Sequence, residues 1–280
     1  MSDRVTISTV DGVADVRLNR PDKMNALDPA MFAAIIEAGE AVRADPSVRA
    51  VVLSGEGRAF CAGLDFSSFS AMAGDGDGAS GGDGAGDGSD RPALPRIEQP
   101  ADSPVAAGGQ HAVYVWRMIE VPVIAAVHGH ALGGGFQLAL GADIRIVAPD
   151  VKMSVLEIRW GLVPDMCGTQ LLPELVGLDV AKELTFTGRM IDGHEAVRLG
   201  VATRVSDTPL DDALSLAGEI AMKSPHATKG AKALLEMAGH STLAEGFAAE
   251  QRIIRALIGS PNQVEAVKAF FEKRPPQFAD

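Results

Sequence analysis

Val121-Pro122-Val123-Ile124-Ala125-Ala126-Val127-His128-Gly129-His130-Ala131-Leu132-Gly133-Gly134-Gly135-Phe136 is the stretch on which the fold turns. Its first part, residues 121–127, is apolar without alternation, the pattern of a strand covered on both faces in a parallel sheet. Glycines at 129 and 133–135 break the run, and residues 136–140 read as the start of a helix. Strand, glycine turn and helix together are the unit of an α/β fold. The turn also has a chemical reading. N–H groups at a helix N-terminus lack an intrahelical acceptor and sit at the positive end of the helix dipole, so they suit a developing oxyanion.

Upstream, residues 50–54 form a second short apolar strand, closed by Gly55-Glu56-Gly57. Gly57-Arg58-Ala59-Phe60-Cys61-Ala62-Gly63-Leu64-Asp65 follows. Small residues there let a ligand lie against the backbone and meet free peptide N–H groups. Two such loops could clamp one carbonyl oxygen from two sides. Tight packing explains either loop equally well when it is taken alone. A dinucleotide fingerprint does not fit, because aligning G-x-G-x-x-G on Gly129 puts Ala131 at its second glycine.

The rest of the chain fills in the order of elements. Residues 5–20 alternate around Asp11-Gly12 and predict a β-hairpin. Asp28 and Pro29 read as an N-cap and first helical position, opening a helix to about residue 43. Residues 144–147 predict a third strand and 152–155 a short fourth. A helix is expected to end across 113–120, and others are expected at 176–187, 192–198, 211–223, 228–238, 243–258 and 263–272. The expectation is an α/β core over residues 1–205 and a C-terminal helical region over 206–280. Residues 71–110 are expected to be a flexible insertion and loop, since 74–90 are almost entirely Gly, Asp, Ser and Ala. A calcium loop starting at Asp75 fails, with Ala79 and Gly86 at ligand positions.

Composition narrows the function. The chain has 280 residues, 46% of them apolar, and a formal charge of −12. That charge disfavours nucleic acid and anionic membrane surfaces as partners. An anionic ligand would need local Lys or Arg. Two cysteines, Cys61 and Cys167, are too few for a disulfide framework and suit a reducing cytoplasm. No signal-peptide pattern or membrane-spanning run is read.

Taken together, the motifs resemble the enoyl-CoA hydratase/isomerase (crotonase) family. Asn19-Arg20-Pro21 with Asn25-Ala26-Leu27 is similar to that family's first loop, and Arg58 to Asp65 to its first oxyanion loop. Ala131-Leu132-Gly133-Gly134-Gly135 is similar to its second. Glu157, Gly161-Leu162-Val163-Pro164-Asp165 and Gly168-Thr169-Gln170 resemble its acid/base segment. The resemblance runs in order from about Val5 to Phe278. It implies a crotonase-like α/β fold of stacked ββα units with a C-terminal helical region, assembled as a homotrimer or a dimer of trimers. It implies an acyl-CoA thioester as substrate, with no cofactor and no metal. The N–H groups of Leu64 and Gly134 would form an oxyanion hole. Met24, Ala26, Ala62 and Asp65 would lie along CoA, and Lys273 would reach a CoA phosphate.

One departure bears on the reaction. Hydratases of the family place a glutamate where this chain has Gln137, which the resemblance puts in the substrate site. An amide has no proton to exchange near neutral pH, so at best it orients water. Glu157 remains, and one carboxylate suffices for a double-bond shift, the reaction of the family's isomerases. Asp165, eight positions on, matches the second acid of dienoyl-CoA isomerases; its plainer reading is a turn residue after Pro164. The expected activity is therefore an enoyl-CoA isomerase, with a hydratase using Glu157 and Asp165, or a non-catalytic acyl-CoA binder, as alternatives. His128, His130 and Cys61 read as packing residues, and Trp116 and Trp160 as core or acyl-pocket fillers.

Overall fold

The computed structural model describes residues 3–65 and 104–279. The Gly/Asp-rich stretch at 74–90 lies outside them. β1 (Val5–Val10) and β2 (Val13–Leu18) pair antiparallel. Their turn puts Asp11 and Gly12 at φ +49° and +79°, the left-handed pair that a two-residue hairpin needs. In α1 (Pro29–Ala44), the Asp28 carboxylate accepts the Met31 N–H at 2.8 Å, and Pro29 occupies a first-turn position that needs no donor.

β3 (Ala50–Gly55), β4 (Val123–Val127) and β6 (Ile144–Val147) add in parallel, and β8 (Arg204–Val205) forms the far edge. The main sheet therefore runs β1-β2-β3-β4-β6-β8. Successive residues of β3 face opposite sides. Val51 and Leu53 join the larger core with α1 and with α2 (Gly108–Met118). Ala50 and Val52 face Ala213 and Ala217 of α7 (Pro209–Ala221). Both faces are covered, which is why β3 and β4 carry no polar alternation.

The short fourth strand expected at residues 152–155 forms, and it belongs to a second, smaller layer. β5 (His130–Leu132) and β7 (Lys152–Ser154) pair in parallel with each other, apart from the main sheet. Single bridges extend this layer: Leu27 to Leu64, Cys61 to Ala131, and Met153 to Ile191. Three residues of β5 between glycines were too few to stand out as a strand. Residues 108–110, expected in a loop, begin α2. The motif at Gly168 opens α4 (Gly168–Val176), and α5 (Leu178–Thr187) begins only after Gly177. α3 (Gly134–Leu140) and α6 (Gly193–Leu199) complete the core helices.

The chain ends in α8 (Pro225–Met237), α9 (Leu243–Leu257) and α10 (Pro261–Glu272). Lys232 ties α8 to the sheet, donating to Asp143 at 2.7 Å and to the Val121 carbonyl at 3.1 Å. Beyond that tie these helices leave large apolar side chains in solvent, including Leu235, Leu243, Phe247, Phe270 and Phe271. Among the described residues no helix is long and apolar enough to cross a membrane.

Candidate active site

The small layer brings the two glycine-bearing loops together. Leu27 donates to the Gly63 carbonyl at 2.8 Å, and Asp65 donates to the Leu27 carbonyl at 3.0 Å, so Leu64 is gripped on both sides. Cys61 donates to the His130 carbonyl, and Leu132 donates back to Cys61. These bonds use the backbone on one edge of each loop. No acceptor among the described residues takes the N–H of Leu64 or of Gly134, the first residue of α3. Gly63 sits at φ +86°, where a Cβ would meet the Leu132 carbonyl oxygen at 2.5 Å and lie 3.7 Å from the Gly134 nitrogen. Only glycine allows that approach, and the approach puts the two free donors on one small surface.

Asn25 holds the first loop in place. It is fully buried at φ +56°. Its side-chain oxygen accepts the Arg20 N–H at 2.8 Å, and its amide nitrogen faces the carbonyls of Glu56, Ala59 and Phe60 at 2.8–3.1 Å. Asparagine tolerates the left-handed region better than most residues. Asn25→Ala is expected to lower stability by roughly 3 kcal/mol, through buried groups left unpaired and backbone strain. Its denaturant midpoint measures this, and a midpoint equal to the parent's would contradict it. Nothing in the sequence except the Asn25-Ala26-Leu27 motif signalled the residue, and it carries no reactive chemistry.

The acid lies across the layer. Glu157 opens a 3₁₀ turn, Glu157–Trp160, just after β7. Its carboxyl comes within 3.3 Å of where a Cβ on Gly133 would be, and Gly133 itself has φ +51°. Oε1 accepts from Gln137 Nε2 at 2.6 Å. Oε2 is buried and has no hydrogen-bond partner. Burial pushes the Glu157 pKa up, and the nearby charge of Asp165 adds to this; hydrogen bonds from backbone N–H groups and Gln137 oppose it. The result is a carboxyl that holds its proton more readily than an exposed glutamate, in contact with the second glycine loop.

The other expected site residues fall into distinct places. Met24, in the left-handed region, accepts the Ala62 N–H at 2.9 Å, and the carbonyl of buried Ala26 accepts from Arg20 at 3.1 Å. These residues form one seam beside the Leu64 loop. Asp65 joins them, but its carboxylate is held by Arg20 at 2.5 Å in a pair that also reaches Asp28 at 3.4 Å. That side chain anchors the loop, so the expected CoA contact is left to its backbone. Gln137 differs from the substrate-lining position expected of it. It is completely buried, and its amide is bonded to protein at both ends. Asp165 is exposed and lines a groove of about 560 Å³ with Gln110, Tyr114 and Gln170. Lys273 is exposed at the C-terminal cap of α10, with no hydrogen bond or ion pair to the loops among the described residues.

The neighbouring candidates are structural in their contacts. His128 shares a 2.9 Å hydrogen bond with the Gly57 carbonyl. Burial, with Lys152 and Arg58 adding, depresses the His130 pKa and so favours the neutral ring. Burial pushes the Cys61 thiol up to about 12, and its Sγ donates to the Asn25 carbonyl, so it is no thiolate nucleophile. Trp116 is buried in the core, donating to the Ala112 carbonyl. Trp160 is not: it stands about half exposed beside Ile158, Leu162 and Val163, because the 3₁₀ turn carries it outward.

Comparison with known proteins agrees with this fold. The sequence profile of the enoyl-CoA hydratase/isomerase family matches residues 8–81 and 102–280. A probable enoyl-CoA hydratase of Mycobacterium leprae is 34% identical over 99% of this chain and 98% of its own. The (E)-benzylidenesuccinyl-CoA hydratase of Thauera aromatica is 31% identical over 98% of each chain. A crystal structure of an enoyl-CoA hydratase from Polaromonas superposes with a TM-score of 0.81 at 28% identity, covering 98% of this chain and 99% of that one. The architecture is the crotonase-like fold, and the chain belongs to the enoyl-CoA hydratase/isomerase family.

Proposed function

We propose that the protein is an acyl-CoA isomerase that shifts a double bond through an enolate, with Glu157 as its acid and base. The carrying observation is the Glu157 carboxyl, with one oxygen buried and unpartnered and the other facing an amide where a second carboxyl would be needed to hold a water. The N–H groups of Leu64 and Gly134 bind the thioester oxygen. Glu157 takes a proton from C2 of a 3-enoyl-CoA, the electron pair moves onto the thioester oxygen, and the same proton returns at C4. The product is the 2-enoyl-CoA, with no net change in atoms or charge. Met24, Ala26, Ala62 and the backbone of Asp65 run beside CoA. Lys273 approaches a phosphate, from a neighbouring subunit in an oligomer.

A second reading, hydration by Glu157 with Asp165, draws on two observations. The charge of Asp165 bears on Glu157, and the relatives above are named as hydratases. Incubation with cis-3-, trans-2- and 3,5-dienoyl-CoA, with products identified, separates the readings. The isomerase reading expects the 3-enoyl substrate to be moved fastest. It also expects Asp165→Asn to keep that activity and to shift the acid limb of its pH profile downward, since a charge that raises the Glu157 pKa is gone. Rapid hydration of the trans-2 substrate that Asp165→Asn abolishes would overturn it.

The exposed apolar side chains of α8 to α10 support self-association, as a trimer or pair of trimers. Sedimentation equilibrium should give three or six times the 29.1 kDa chain mass; a monomer at micromolar concentration would refute this. Both cysteines are free thiols, which fits a cytoplasmic enzyme.

A further inference from the structure

We propose that Gln137 is a positioning residue for the acid/base step: its locked amide holds one oxygen of Glu157 and leaves the other as the atom that carries the proton. The proposal rests on the role given to Glu157 above.

A glutamine amide can usually be turned end for end, because its oxygen and nitrogen are alike in size. Gln137 cannot. Its Oε1 accepts two backbone N–H groups, from Met166 and Gly168, each at 2.9 Å. Reversed, its NH₂ would face two donors in a site with no exposure to water, and all of those groups would be buried unpaired. The start of α4 therefore fixes the amide, and Nε2 must point at Glu157 Oε1, 2.6 Å away. A hydrogen bond to a carboxylate is stronger than one to a neutral acid. This bond thus favours the ionised form of Glu157 and opposes the burial and the Asp165 charge that favour the protonated one. Asp165 is the ionisable side chain whose charge adds to the effect of burial on Glu157. With Oε1 held, the buried and unpartnered Oε2 receives the proton.

The position also tells why an amide stands here and not an acid. In Gln137→Glu, one carboxyl oxygen would still accept both backbone N–H groups. The other would face Glu157 Oε1 at hydrogen-bond distance. Two ionised carboxylates cannot share that spacing, so the pair would retain a proton. Gln137 keeps the site at one carboxyl that can be emptied and refilled.

The test uses the full chain with Gln137→Met and Gln137→Glu. Glu157 is titrated directly by carboxyl infrared difference against Glu157→Gln, and kcat and KM for a cis-3-enoyl-CoA are measured across pH. In Gln137→Met the titration of Glu157 should rise by about one pH unit, the effect of one lost charge-assisted hydrogen bond. Its kcat should fall roughly 10–10²-fold from misplacement of the carboxyl, with KM little changed. Should Gln137→Met fail to fold, Gln137→Glu retains an acceptor for both N–H groups. It should raise the titration further and lower isomerisation at neutral pH. A Glu157 titration unmoved in every folded variant overturns the proposal. A wild type that moves no double bond overturns the reading of Glu157's reaction instead, while the titration still decides the role of Gln137.

Discussion

Glu157→Gln leaves acyl-CoA affinity near the parent's and cuts double-bond isomerisation by about 10²–10⁴-fold, the contribution of one general acid–base group. The loss is expected in kcat because the thioester oxygen and CoA are held by backbone that the substitution does not touch. The amide is close in size, and Gln137 can still meet its oxygen. Substrate titration by calorimetry, with kcat from single-turnover experiments, measures the two effects separately; activity surviving in Glu157→Gln would move the role to Asp165. The same carboxyl sets a pH profile for the parent. Glu157 acts first as a base, and its pKa is raised by burial, so turnover should fall as pH drops through that raised value. Stability runs the other way. Between the ordinary glutamate pKa and the raised one, the folded chain binds more protons than the unfolded chain, so stability falls as pH rises through that window. Glu157→Gln removes this penalty. At neutral pH it should be at least as stable as the parent while being inactive, which is the pattern of a residue kept for chemistry.

Much of this was legible in the sequence, and the physical reason is local. Buried parallel strands need apolar residues on both faces, so β3 and β4 stand out at once. Asp11-Gly12 and Asp28-Pro29 specify their turn and cap by their own backbone preferences. The small layer was harder. It is built from β5, β7 and single bridges at residues such as Leu27, Leu64 and Ile191. Pairings that short and that distant in sequence leave no period to read. The same holds for the site. The loops and Glu157 could be named from motifs, but the partners of Gln137 could not. Its oxygen is bonded to residues 29 and 31 positions away, through backbone N–H groups that any side chain could carry. Nor could the sequence say that Asp65 would be held by Arg20, since an ion pair 45 positions apart depends on the fold that forms first.

Gly134→Pro should lower turnover by about 10²–10³-fold, the usual consequence of losing one oxyanion donor. The substitution is informative because proline is tolerated at the first position of a helix, where its missing N–H breaks no helical hydrogen bond. Gly134 is that position in α3, and its φ is not in the left-handed region. The N–H that proline removes is therefore one without an acceptor among the described residues. Space is the competing effect. A Cβ at Gly134 would come within 2.8 Å of Leu27 Cδ1 and 2.9 Å of Met166 Sδ. Both atoms belong to flexible side chains, but Met166 also supplies a backbone N–H to Gln137, so crowding could reach Glu157 indirectly. Gly134→Ala isolates that contribution, since it adds the Cβ and keeps the donor. The oxyanion assignment expects Gly134→Ala to retain most of the rate and Gly134→Pro to lose it, both in kcat more than in KM. If the two variants fall equally, crowding is the cause and the Gly134 N–H is not an oxyanion donor. If Gly134→Pro folds and turns over like the parent, the thioester oxygen is bound elsewhere, and Leu64 loses its proposed partner as well.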